Sequence, residues 1–138
     1  MPFLGIVCGD AVRLSEIGEI ARACWLEIPE HYPQVTVDAY VVMPDHLHGL
    51  LLIVGARHGV PQREAYGKPV PGSIPSIVRS FKSASTLRVK RKVGLPEGGI
   101  WERDYHEHVV RSERALVRIR EYILNNPARL TLIRSGLA

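Results

Sequence analysis

Two histidines, His46 and His48, stand one residue apart in an apolar run whose composition predicts a β-strand. Because side chains alternate between the two faces of a strand, both imidazoles point to one face while Leu47 points to the other. Two neutral imidazoles at this spacing can bind one divalent cation and leave coordination positions open. Most pairs with this spacing bind nothing, so the metal-site interpretation needs further residues to support it.

Tyr122 and Asn126 are four residues apart in the predicted last helix and therefore lie on one helix face. A tyrosine hydroxyl can attack phosphorus and form a phosphotyrosine when a metal ion activates the phosphate. An asparagine carbonyl one helical turn away could complete a site with two histidines and one amide. The alternative is a core tyrosine followed by an asparagine that serves the end of the helix.

Other residues offer weaker candidates for the same roles. His106 and His108 share the spacing of a ligand pair on a predicted strand, but the residue between them is charged, which favours a surface pair. Tyr105 is a rival nucleophile that has no amide one turn away. Cys8 and Cys24 form neither a metal-binding motif nor a disulfide framework, and we interpret both as core thiols.

Positive charge is concentrated in one segment of a chain whose formal net charge is only +4. Between Glu64 and Glu97 there is no acidic residue, while basic residues recur throughout the segment. Such a block predicts a surface for a polyanion, most commonly nucleic acid, and the alternative is a solvated helix face followed by a basic loop. Six of the basic residues fall in one predicted helix: Arg79, Lys82, Arg88, Lys90, Arg91 and Lys92.

Periodicity and turn residues predict alternating elements with short connections. They are strands at 3–7 and 11–14, a helix from the cap Ser15 to near Pro29, a hairpin of strands at 35–43 and 46–54, a long mobile loop at 55–75, a helix at 76–92 with Ile77, Phe81 and Ala84 buried, a strand at 100–110, and a helix from the cap Ser112 to Asn126 and Pro127. This order predicts an α+β fold, a ferredoxin-like antiparallel sheet with helices on one face. The opposite face is then free to carry a site.

The chain has 138 residues, of which 46% are hydrophobic and 23% charged, and these values predict a single globular domain over residues 1–138. The N-terminus lacks the basic flank and long apolar run of a secretory signal, and no apolar stretch is long enough to cross a membrane. We therefore expect a cytoplasmic protein with no membrane partner.

Five stretches carry a resemblance that runs through nearly the whole chain. They are Trp-Leu-Glu-Ile-Pro-Glu-His from Trp25, Val-Val-Met-Pro-Asp-His-Leu-His-Gly from Val41, Ile-Val-Arg-Ser-Phe-Lys from Ile77, Trp-Glu-Arg-Asp-Tyr from Trp101, and Arg-Ile-Arg-Glu-Tyr-Ile-Leu-Asn-Asn-Pro from Arg118. In this order they resemble the single-tyrosine HUH transposases of small bacterial insertion sequences, most closely the REP-associated tyrosine transposase branch.

The resemblance implies a metal-dependent transposase that cleaves and transfers single-stranded DNA containing hairpins or palindromic repeats. His46 and His48 would be metal ligands, with Asn126 as the third where many insertion-sequence members carry glutamine, and Tyr122 would form the 5′-phosphotyrosine. The implied metal is Mg²⁺ or Mn²⁺, whereas the imidazole donors alone favour zinc, manganese or cobalt. The six basic helix residues would contact DNA, and a homodimer is a possible assembly.

One departure from the family concerns the start of the chain. Family members normally carry an additional N-terminal strand before the segment that begins here at Phe3, so we expect the first strand to be short or missing. The start could lie upstream, residues 3–7 could substitute, another chain could supply the strand, or the copy could be decayed. The alternative function is accordingly a non-catalytic DNA-binding remnant of a transposase.

Overall fold

The computed structural model describes residues 3–53, 73–102, 110 and 112–127. The elements within these ranges are β1 (Gly5–Cys8), β2 (Ala11–Leu14), α1 (Glu16–Leu26), α2 (Ile28–His31), β3 (Val35–Val42), β4 (Leu47–Ile53), α3 (Ile74–Lys92) and α4 (Glu113–Leu124). β1 pairs with β2 and β3 pairs with β4, both antiparallel. The predicted α+β class is confirmed, and the predicted hairpin is β3–β4.

Serine caps fix where three of the helices begin. The side chains of Ser15, Ser73 and Ser112 each accept a hydrogen bond from a backbone N–H in the first turn of the helix that follows. Ser15 and Ser112 are the predicted caps. α3 begins at Ile74, two residues earlier than predicted, because Pro75 occupies the first turn, where a missing N–H costs nothing. The predicted loop therefore ends before Ile74, and residues 54–72 lie outside the described residues.

α1 and α3 pack against one face of the β3–β4 hairpin, as predicted. Trp25 of α1 meets Phe81 of α3 edge to face, with ring centroids 5.2 Å apart. The buried stripe of α3 consists of Ile77, Phe81, Ser85 and Val89. The prediction of Ala84 in this stripe is wrong, because a strict four-residue repeat passes through Ser85. The Ser85 hydroxyl donates to the Phe81 carbonyl and accepts from the Trp101 indole, so burying it costs little.

Gly49 lies under the Trp25 ring. A Cβ at this position would sit 2.1 Å from Cζ2 of Trp25, a ring that is itself buried against Phe81. We predict that Gly49→Ala lowers the free energy of unfolding by about 2 kcal/mol, because the core must shift to admit the methyl group. Urea unfolding measures this. In a double-mutant cycle Trp25→Phe should relieve part of the cost, and strictly additive effects would contradict the packing explanation.

β3 contains a bulge that changes which residues share a face. Val37 is opposite Leu51 and Tyr40 is opposite Gly49, so two residues of β3 oppose one residue of β4. Val37 and Tyr40 consequently both pack on the core beneath α1 and α3. The Asp38 carboxylate accepts a hydrogen bond from the Ala39 N–H at 2.7 Å and turns toward α4.

α4 contacts the other face of the hairpin, the face predicted to carry the site. Gly49 lies against Trp25 of α1, and in a strand its neighbour His48 must point the opposite way, where its ring meets Tyr122 of α4. Within α4 only Ile123 is buried. Four further residues of the helix are partly buried: Ala115, Leu116, Ile119 and Arg120.

The β1–β2 hairpin joins the start of α1 to the turn before β4. The Leu4 N–H donates to the Pro44 carbonyl, and the Leu4 carbonyl accepts from the Ser15 N–H. Among the strands that the structure describes, β1 pairs only with β2, so residues 3–7 do not take the place of an additional strand beside β4. Residues 100–102 are not in a strand, and residues 103–109 of the predicted strand lie outside the described ranges.

The two cysteines differ in burial. Cys24 is buried, as predicted, and its burial raises the pKa of its thiol. Cys8 is exposed, so its interpretation as a core thiol is wrong. In the described ranges no helix is both long and apolar enough to span a membrane.

Candidate active site

The turn before β4 places the first histidine. The Met43 N–H donates to the His46 carbonyl at 2.8 Å and closes the turn through Pro44 and Asp45. His46 and His48 then project from the same side of the chain, with ring centroids 4.7 Å apart and ring planes at 89°. The two imidazoles therefore lie close together, as predicted.

Asp45 orients the His46 ring. Its carboxylate lies 2.6 Å from His46 Nδ1, and this hydrogen bond lowers the pKa of Asp45. An ionised carboxylate can only accept, so Nδ1 carries the proton and Nε2 of a neutral ring keeps its lone pair. A carboxylate that binds the second nitrogen of a histidine is the usual support of a metal-ligating imidazole.

His48 is half-buried between its strand and α4. Burial lowers the pKa of the His48 imidazole, and the charge of the neighbouring His46 lowers it further. The ring is therefore neutral at neutral pH, which is the state in which histidine binds a metal.

Tyr122 reaches the histidines from α4. Its ring meets the His48 ring edge to face, with centroids 5.9 Å apart and planes at 84°. Its side chain remains accessible, because the residue is 47% exposed. A strand residue and a helix residue that are far apart in sequence thus share one surface with His46.

Asn126 follows Asn125, the C-cap of α4. Its amide nitrogen is buried and has no hydrogen-bond partner among the described residues. Because the nitrogen and oxygen of an amide can be exchanged by rotation, the same buried position can present a carbonyl oxygen. The described residues contain no group of three or more histidine, cysteine, aspartate and glutamate side chains that could hold a metal. Two imidazoles and one carboxamide are nevertheless a donor set that fits a divalent cation.

A bidentate ion pair holds α4 on the sheet. Arg120 donates from Nε and Nη2 to the two carboxylate oxygens of Asp38, at 2.8 and 2.7 Å. These bonds lower the pKa of Asp38 below its ordinary value. Arg120 is two residues from Tyr122, so the pair sets the position of the helix next to the histidines.

We predict that Asp38→Asn lowers the free energy of unfolding at pH 7 by about 1 kcal/mol, the upper range for a partly exposed pair. The native pKa of Asp38 is depressed, so its stabilisation is complete above the unfolded pKa of about 4 and is lost as the pH falls through the native value. The difference in free energy of unfolding between wild type and Asp38→Asn should therefore be smaller at pH 3 than at pH 7. Urea unfolding at both pH values measures it. Asp10→Asn, at an exposed turn, is the control, and equal stability of Asp38→Asn and wild type at pH 7 would contradict the prediction.

This chain is similar in sequence to known proteins. It is 36% identical over 130 residues to a Haemophilus influenzae protein whose name states no function, an alignment that covers 89% of this chain and 71% of that protein. It is 31% identical over 130 residues to another protein of the same organism, named "Putative REP-associated tyrosine transposase", with 92% of this chain and 69% of that protein covered. The chain belongs to the REP-associated tyrosine transposase family. No family model and no solved structure matches it.

In this member of the REP-associated tyrosine transposase family, the six basic residues of α3 have different surroundings. Arg88 forms a bidentate ion pair with Glu27, which lies between α1 and α2, at 3.2 and 2.7 Å. Lys82 donates to the Glu102 carbonyl at 2.8 Å. The other four are exposed: Arg79, Lys90, Arg91 and Lys92. The charge of Arg88 is therefore balanced within the fold, while four of the six basic side chains are exposed.

The structure adds residues that sequence reasoning missed. Asp45 immediately precedes the histidine motif, and this position could have suggested its role. Asp38 is an acidic residue inside an apolar strand, a signal of a buried partner, but nothing local points to Arg120. The rival candidates Tyr105, His106 and His108 lie outside the residues that the structure describes.

Proposed function

We propose that this protein is a metal-dependent nuclease and strand transferase that acts on single-stranded DNA containing hairpins. The contact between the His48 and Tyr122 rings, 5.9 Å apart, carries the proposal because it joins a candidate nucleophile to a candidate ligand pair. Membership of the transposase family supports it. The proposed role of each residue extends beyond that membership and rests on the chemistry of the site.

The proposed reaction conserves the energy of the phosphodiester. The Tyr122 hydroxyl oxygen bonds to the scissile phosphorus and gives its proton to solvent, while the bond from phosphorus to the 3′ oxygen breaks and that oxygen takes up a proton. The products are a 5′-phosphotyrosine and a free 3′-hydroxyl. Attack by the 3′-hydroxyl of a second strand reverses these steps and joins the strands, so no further reactant is needed.

His46, His48 and Asn126 would hold the divalent cation, which supplies charge stabilisation at the phosphate. Asp45 keeps Nε2 of His46 available by holding the proton on Nδ1, and burial keeps His48 neutral. The family favours Mg²⁺ or Mn²⁺, and imidazole donors suit Mn²⁺ better than Mg²⁺. Mn²⁺ is therefore the ion for the assay.

The basic surface of α3 would bind the DNA backbone. The contacts would come from Arg79, Lys82, Lys90, Arg91 and Lys92, with Arg88 contributing less because Glu27 already neutralises it. Binding of this kind depends on phosphates, so it should weaken steeply as salt rises.

The test is a covalent adduct. Wild type is incubated with Mn²⁺ and single-stranded hairpin oligonucleotides that carry a label at either the 3′ or the 5′ end. An adduct that resists denaturation should retain the 3′-end label, since a 5′-phosphotyrosine keeps the downstream segment. DNA binding without an adduct would instead indicate the non-catalytic remnant, and failure to bind the hairpin at all would overturn both functions.

A further inference from the structure

A groove lies between the second half of α3 and the segment that follows it. It is open to solvent and has a volume of about 610 Å³. Residues that the structure describes form both walls. They include Lys82, Leu87, Lys90, Leu95, Trp101 and Glu102. α3 packs on the face of the β3–β4 hairpin opposite Tyr122, so the groove is separate from the candidate active site.

Apolar side chains are exposed in the groove. Leu87 is 47% exposed and Leu95 is 39% exposed, on opposite walls. Trp101 also lines the groove, and its ring is held by the hydrogen bond to Ser85 and by packing against Phe81, with centroids 5.2 Å apart. Two exposed leucines and a fixed aromatic ring give this groove a small apolar surface that the flat face of an aromatic ligand can contact.

Cations border the same groove. Lys82 and Lys90 are two helical turns apart and both line it, and α3 contains no acidic residue. The hydrogen bond from Lys82 Nζ to the Glu102 carbonyl keeps this ammonium group at the wall. Glu102 is the acidic residue of the lining. Arg88 pairs instead with Glu27, the residue after α1, so Lys82 and Lys90 line the groove while Arg88 points toward α1.

We propose that this groove binds an unpaired nucleotide of single-stranded DNA. The base would lie against Leu87, Leu95 and Trp101, and its flanking phosphates would contact Lys82 and Lys90. An apolar platform beside cations matches a nucleotide, because a base has an apolar face and is joined to an anionic backbone. The inference rests on the proposed function in one respect: the ligand is the same DNA that Tyr122 would cleave.

The experiment measures binding separately from cleavage. The Tyr122→Phe protein, without added divalent cation, is titrated by fluorescence anisotropy with a hairpin that carries a short single-stranded extension, and with the same hairpin made blunt. We expect the background protein to prefer the extended hairpin, and the Leu87→Ala, Leu95→Ala double variant to lose about tenfold in affinity for it with little change for the blunt one. Lys90→Ala should lose affinity and show a shallower salt dependence.

An abasic scan assigns the effect to the base. Single bases are removed from the extension one at a time. At one position the removal should lower the affinity of the background protein as much as the double substitution does. The double variant should lose no further affinity when that same base is removed. Leu26→Ala, at a leucine 41% exposed on α1, is the matched apolar control, and Arg13→Ala on β2 is the charge control. Equal affinity of the groove variants and their background for the extended hairpin would overturn the inference, whether or not wild type forms the Tyr122 adduct. If wild type forms the adduct and the groove variants bind the extended hairpin as their background does, the proposed function is supported and the groove inference is wrong.

Discussion

Tyr122→Phe is expected to abolish the covalent protein–DNA adduct while leaving hairpin binding unchanged. The substitution removes only the hydroxyl oxygen, and the ring contact with His48 at 5.9 Å can persist. Loss of a catalytic nucleophile typically lowers turnover by about 10³-fold or more, because no other group forms the covalent bond. Adduct formation is measured by denaturing gel electrophoresis with Mn²⁺ and labelled DNA, and binding is measured by gel shift.

Two other tyrosines serve as controls for this prediction. Tyr40→Phe removes a hydroxyl that accepts a hydrogen bond from Arg22 on the opposite face of the hairpin, so the adduct should form normally. Tyr105→Phe tests the rival nucleophile and should also leave the adduct intact. An adduct that survives Tyr122→Phe and disappears in Tyr105→Phe would transfer the role to Tyr105.

His48→Ala is expected to weaken Mn²⁺ binding and therefore to lower the amount of adduct that forms with Mn²⁺. The half-buried imidazole is neutral because burial lowers its pKa, and its removal takes away one of two candidate nitrogen ligands. Changes to residues that only support a ligand reduce metal affinity about 10 to 100-fold, so loss of a ligand should cost at least about 100-fold. Calorimetric titration of the protein with Mn²⁺ in the absence of DNA measures this directly.

His31→Ala is the matched control for the histidine prediction. His31 is exposed at the end of α2, away from the hairpin turn that carries His46. The His31→Ala variant should bind Mn²⁺ with the affinity of wild type. If His48→Ala binds Mn²⁺ with wild-type affinity, the histidine pair is not the metal site, and the contact with Tyr122 is then only structural packing.

The two candidate components of the active site belong to different elements of the fold. The histidines lie on the β3–β4 hairpin, which is held by the packing of α1 and α3, whereas Tyr122 lies on a helix with Ile123 as its buried residue and with the Asp38–Arg120 ion pair. A variant such as Asp38→Asn can therefore separate the position of the tyrosine from the integrity of the core. This is why the same substitution bears on both stability and the proposed reaction.

Local rules in the sequence determined the extents of most described elements. Ser15 and Ser112 begin helices because their side chains satisfy N–H groups that a helix leaves unpaired. The spacing of His46 and His48 predicted that their rings lie together, although the turn before β4, and not the strand itself, positions His46. The motif order placed the chain among the transposases. Local rules failed in small ways: Pro75 was assigned to a loop although the first turn of a helix tolerates it, and Ala84 was assigned to the core in place of Ser85.

Only the tertiary structure decided which distant residues meet. The pairing of Arg88 with Glu27, the bulge that turns Asp38 toward Arg120, and the contact of Tyr122 with His48 all join residues from different elements. Periodicity reports which face a residue occupies, but it carries no information about which element covers that face. The sequence therefore identified the candidate chemical groups, and the packing of α4 against the β3–β4 hairpin determined that the Tyr122 ring lies beside the His48 ring.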